Sequence, residues 1–276
     1  MKKYAGENKE YGPLSATISI QYGKQPDIED EWKKIVELEK VEDRKKQIDI
    51  LLTKMEQNAE ENGFFGAEQQ VVINKLHRKA VLFNDKEMYY QFFEILRNNY
   101  LSEKDNISSG AIIKRAIEET EMSYWGSFQS DKTKRLDLTT SEIITQDDPN
   151  LPDITIIPSI SKLKGENCSA CMERAVMAHN LWLLTGKTSY FINVSASECD
   201  FGQESDEYKN DGHAFSIVEY DGKYRLFDLS MNNICMLQGN PIEDIENGKP
   251  LKVEGPTVNN PGYYANYSKL QQEMVR

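Results

Sequence analysis

Between Cys171 and Gly186 the chain reads as a helix that is apolar nearly all the way round. Met177, Leu181, Leu184, Val176 and Leu183 cover most of its circumference, and Glu173 and Arg174 are the only charges inside it. A helix of that kind cannot sit on a surface with one face in water; it belongs in the core of a domain. One stripe is different. Cys171, Ala175, Ala178 and Trp182 share a face, and its small residues leave room for another element to approach above the sulfur. If the helix starts near Cys171, its first unbonded N–H groups and the positive end of its dipole lie at the thiol. Both favour thiolate, the form that attacks carbonyl carbon.

The element expected to meet this stripe follows in the chain. Tyr190–Val194 reads as a strand, Ser195–Asp211 as a polar loop, and Asp221-Gly222 joins two alternating segments as a tight hairpin. A two-residue loop pairs Tyr220 with Lys223, so opposed residues sum to 443. Asp228 is then expected opposite Phe215 and His213 opposite Ser230, with His213 and Asp228 diagonal neighbours on one face. A thiol at a helix start, an imidazole and a carboxylate are the parts of a Cys–His–Asp triad. The base is poised on the sulfur and the acid orients the ring.

Cys171-Met-Glu-Arg-Ala175 through Leu184-Thr-Gly186, then Tyr190-Phe-Ile192, His213-Ala-Phe215 and Phe227-Asp228, resembles the core of the transglutaminase-like superfamily. The resemblance covers roughly Lys164 to Ser230, about a quarter of the chain. It implies a papain-like cysteine-enzyme fold: a nucleophile helix packed on an antiparallel sheet, with His and Asp on successive strands. It also implies acyl transfer through a thioester, by hydrolysis, deamidation or transamidation, on a protein or peptide substrate and with no cofactor or metal. Cys168 is the alternative nucleophile. Papain relatives carry a Cys-x-x-Cys whose second member attacks, and Ala175 and Gly186 are placed to suit Cys171.

The rest of the chain sets the expected frame. Trp32, Ile35, Leu38 and Val41, then Ile48, Leu51, Leu52 and Met55, recur at helical steps, with Asp43 a candidate cap after a break near Val41. Helical spacing resumes over Val71, Val72, Leu76, Ala80 and Phe83, then from Asp85 through Tyr100, then over Ser109–Met122. Ala16–Tyr22 reads as a strand or a docked arm, Asp153–Pro158 as at best a short strand, and Gly63-Phe-Phe-Gly66 as a turn. The expected class is α+β, with a mostly helical region over 1–123 and the catalytic core over 124–276.

Composition excludes some partners. The net charge of −12, with no basic stripe to offset it, argues against nucleic acid and anionic membrane. No apolar run is long enough to cross a bilayer, and the basic N-terminal residues have no apolar core behind them, so a cytoplasmic protein is expected, with signal-independent export left open. Four cysteines (Cys168, Cys171, Cys199, Cys235) imply no disulfide framework. A zinc site would need Cys199, Cys235 or a His to complete the Cys168–Cys171 pair. His179 lies off the Cys171 face and reads as structural, and His77 as surface. Two readings compete with the enzyme: a non-catalytic transglutaminase-like module that binds a protein partner, and a dithiol redox protein using Cys168 and Cys171.

Overall fold

A computed structural model of the chain describes residues 28–61, 70–72, 79–82, 86–103, 107–125, 142–144, 154–157, 171–194, 213–230, 233–246 and 251–254. Expected features at Ala16–Tyr22, Gly63–Gly66, His77, Cys168, Cys199 and Ser195–Asp211 lie outside them.

The class is α+β. Among the described residues up to 125 there are four helices, α1 (Ile28–Val36), α2 (Val41–Glu61), α3 (Lys86–Ser102) and α4 (Ser109–Trp125), with two short strands between the second and third. Each helix buries the stripe its spacing foretold: Trp32 and Ile35; Ile48, Leu52 and Met55; Phe92, Phe93 and Leu96; Ile112, Ile113 and Ile117. Two expectations fail here. Asp43 is the third residue of α2 and so lies inside the first turn, where an acid favours the dipole, rather than before it as a cap. Val41 is half exposed, because the break in the chain at 37–40 frees it from the stripe of α1.

The helix expected over 71–83 is replaced by two strands, β1 (Gln70–Val72) and β2 (Lys79–Leu82), paired antiparallel with Val71 opposite Val81. Three valines among these seven residues favour the pleated backbone over a helix, where β-branched side chains lose χ1 freedom. The three- and four-residue steps came from reading across the connection. β2 also pairs parallel with β4 (Ile154–Ile157), and β3 (Glu142–Ile144) pairs antiparallel with β4, giving the order β1-β2-β4-β3. This sheet thus draws strands from both sides of residue 123.

The second sheet is antiparallel throughout, in the order β5 (Thr188–Val194), β6 (His213–Tyr220), β7 (Lys223–Asp228), β8 (Asn233–Leu237) and β9 (Val253–Glu254). Asp221 and Gly222 take φ of 53° and 66°, the left-handed pair that a two-residue hairpin turn requires. Tyr220 pairs with Lys223 and the register runs, as expected, to Ser216 opposite Phe227.

Helix α5 (Cys171–Leu184) lies on this sheet. It ends in a Schellman motif: Gly186 at φ 77°, its N–H bonded to Leu183 O, and Lys187 N–H to Trp182 O. Even-numbered residues of β6 face the helix, since Ser216 Oγ donates to Ala175 O at 3.1 Å and Tyr220 stacks on Trp182 at 5.1 Å. Phe227 meets the same indole edge-on at 5.6 Å. The opposite face holds a separate cluster of Ile192, Phe215, Ile217, Leu226, Leu237 and Leu251, with Ile242 of a short helix α6 (Pro241–Glu246) packed against it.

The helical layer and the sheet share one core. Buried residues run without a gap from Ile28 and Trp32 through α4 to Val176, Trp182, Val218 and Phe227. Joints between the layers include a backbone bond at the start of α1 and a close approach of α4. Ile28 N–H donates to Thr185 O at 3.3 Å, beside an ion pair between Glu29 and the buried Lys187. Burial opposes ionisation of Glu29, but the Lys187 ammonium outweighs it and keeps the carboxyl below its usual range. At the second joint α4 comes so close to the hairpin that a Cβ on Gly110 would lie 2.1 Å from Tyr220 Cδ2. Glycine is required there for want of space.

Candidate active site

Position along the helix–sheet layer follows from its two fixed points. Ala175 lies at Ser216 and Trp182 at Tyr220, so α5 and β6 run in the same direction. Cys171 is four residues before Ala175, roughly 6 Å back along the helix axis. The same distance along a strand is about two residues. Cys171 is therefore level with Ala214 and His213, where β6 begins. On the neighbouring strand Ser216 pairs with Phe227, so Asp228 and Leu229 come to the same end. The tip of α5, the first residue of β6 and the last residue of β7 gather at one edge of the layer.

Cys171 is the first residue of α5, as its sequence suggests. It is half-buried, carries a thiol and packs against the cluster on the α5 side of the sheet, as do Leu229 and Ile234. Its sulfur thus stands in the first turn, where the backbone N–H groups have no helical acceptor. His213 opens β6 opposite Val194. Asp228 closes β7 opposite Asn233 and is only 1% exposed.

The face of Asp228 is where the geometry becomes specific. Phe227 points at α5, so its neighbours Leu226 and Asp228 alternate to the other face. Cys235, in register with Leu226, is there too. Burial, reinforced by the Asp228 carboxylate, pushes the Cys235 thiol up to about 11. That thiol is protonated and poorly nucleophilic at neutral pH. The aspartate therefore stands on the side of the ribbon turned from the helix, with Cys171 on the other.

Two residues weighed in the sequence find their places. His179 is fully buried, its Nδ1 3.0 Å from Ser189 Oγ and its ring edge-on to Phe191 at 6.4 Å. Burial alone lowers it to about 4, so it is neutral at pH 7 and holds α5 to β5. Arg174, one turn beyond Cys171, is 2% exposed and pairs with the equally buried Glu121 of α4. Its guanidinium carbon is 5.9 Å from the centre of the Trp125 ring. Sequence reasoning did not find Glu121 or Trp125. Glu121 reads as the end of an amphipathic helix over Ser109–Met122 and Trp125 falls beyond it, and only the fold brings them to the first turn of α5.

No helix among the described residues is long and apolar enough to cross a membrane. Comparison with known proteins finds no family model that matches the chain, and no curated protein or solved structure that matches it.

Proposed function

We propose that the protein is a thiol-dependent acyl-transfer enzyme with a transglutaminase-like, papain-like core, in which Cys171 attacks an amide or thioester carbonyl. His213 takes the thiol proton and later gives one to the leaving group, and Asp228 holds the imidazole in orientation. The thiolate adds to the carbonyl carbon, the amine departs with the proton from the imidazolium, and water or a second amine resolves the thioester. A protein or peptide supplies the carbonyl.

One observation carries this reading: the thiol at the first residue of α5 is level with the start of β6 and the end of β7. Because Asp228 faces away from α5, the reading requires the imidazole to join sulfur and carboxylate around the end of the β6–β7 ribbon. The expected result is that limiting iodoacetamide labels Cys171 well ahead of Cys168, Cys199 and Cys235, and that His213→Ala removes the preference. Equal labelling of all four thiols would sink the proposal.

The same placement of Asp228 favours a second reading, a transglutaminase-like scaffold that binds a protein partner without turning over. In that case Cys171 labels no faster than an ordinary half-buried thiol, and His213→Ala changes nothing.

A further inference from the structure

The helical layer reaches the first turn of α5 through a buried charge. Residues three apart on a helix are surface neighbours, about 5–6 Å between their Cβ atoms, so Arg174 stands beside Cys171. Its charge is kept in the core: burial lowers Arg174 only to about 10, so it remains a cation at neutral pH. Glu121 and Trp125, one turn apart on α4, receive it from the other side. A buried ion pair is a poor way to gain stability, because desolvating both charges offsets their attraction and a packed apolar pair does as well. What it does supply is a fixed positive charge within one helical turn of a thiol that, on the function proposed above, must ionise.

We propose that Arg174, held in place by Glu121 and Trp125 of α4, is a positioning residue that favours the thiolate of Cys171. The helical layer is then part of the active site. The Glu121 carboxylate, paired with the guanidinium, holds it and moderates its field. Other charged or titratable side chains on the elements packed around that turn include Glu173 of α5, Lys114, Arg115, Glu118 and Glu119 of α4, His213 of β6 and Asp228 of β7. None of them changes in the variants below.

The test is the pH dependence of Cys171 alkylation by iodoacetamide, followed by peptide mapping in the full chain. Glu121→Gln removes the moderating anion and leaves the cation, so the midpoint moves down by about one to two pH units, the size expected for a charge about 6–12 Å away at an effective dielectric of about 20. Arg174→Met combined with Glu121→Gln leaves no unpaired charge in the core, and the midpoint moves up by about one unit. Melting temperature and near-UV circular dichroism establish that each variant folds. Opposite shifts support the proposal, because a purely structural pair would move both midpoints the same way or neither. Two unchanged midpoints, or two shifts of one sign, overturn it. The inference rests on Cys171 being the nucleophile, but the two fail separately. If the midpoints shift as expected while Cys171→Ser keeps full acyl-transfer activity, the electrostatic role stands and the nucleophile is elsewhere.

Discussion

Replacing Gly110 by alanine puts a methyl group where Tyr220 already is. The added Cβ would lie 2.1 Å from Cδ2, 2.7 Å from Cγ and 2.8 Å from Cε2. Ordinary carbon contacts are about 3.5–4.0 Å, so ring or helix must retreat by more than an ångström. The ring has little freedom to do so. Trp182 stacks on it at 5.1 Å, and the Arg225 guanidinium carbon lies 3.7 Å from its centre. Overpacking of this kind costs about 1–3 kcal/mol, and disturbing the aromatic stack adds about 0.5–1.5 kcal/mol. Alanine returns up to about 1 kcal/mol in helix propensity. The net expectation is a loss of about 2 kcal/mol, or a fall in Tm of about 4–8 °C for a chain of this size. The assay is urea unfolding of Gly110→Ala in two backgrounds, wild type and Tyr220→Ala. With the ring removed the methyl has space, and the same substitution becomes neutral or stabilising by up to about 1 kcal/mol. An equal cost in both backgrounds would refute the close approach of α4 to the hairpin, and with it the single core shared by the helical layer and the sheet.

His179 makes stability fall with acid. Burial holds its folded value at about 4, below the ordinary 6.5, so the unfolded chain binds a proton that the folded one refuses. The contribution is complete above about 6.5 and is lost as pH falls from there to about 4, a change of about 3 kcal/mol. His179→Gln should flatten that part of a urea-midpoint profile between pH 4 and 7, and an unchanged profile would contradict the buried neutral ring. Gly186→Ala, at φ 77° in the cap of α5, should cost about 1–2 kcal/mol in thermal unfolding. No loss there would mean that the Schellman cap does not form.

What could be read from the sequence is what neighbours in the chain decide. Asp221-Gly222 names its own turn and thereby the register from Tyr220–Lys223 to Ser216–Phe227. The all-round apolar character of α5 and Gly186 after it fix a buried helix and its end. Distant partners were not legible. β1 and β2 were read as helix because short strands have too few residues to show a period, and the pairing that stabilises β2 comes from β4, more than seventy residues on. The pairing of Glu121 with Arg174 and the fit of Gly110 to Tyr220 are likewise contacts between layers. For the site, residue types and their order along the chain were readable, and so was the helix tip. The face of β7 that carries Asp228 was not, because alternation tells which residues share a side but not which side the helix covers.

The most direct trial of the proposed chemistry is to trap the acyl group. Full-length protein treated with p-nitrophenyl acetate, quenched in acid and mapped by mass spectrometry should carry acetyl as a thioester on Cys171. The adduct should vanish in Cys171→Ser, and p-nitrophenol release should drop by at least a hundredfold in His213→Ala, the usual scale for loss of a general base. Acetyl found only on lysines, or release that ignores both substitutions, would contradict a thiol nucleophile at the tip of α5.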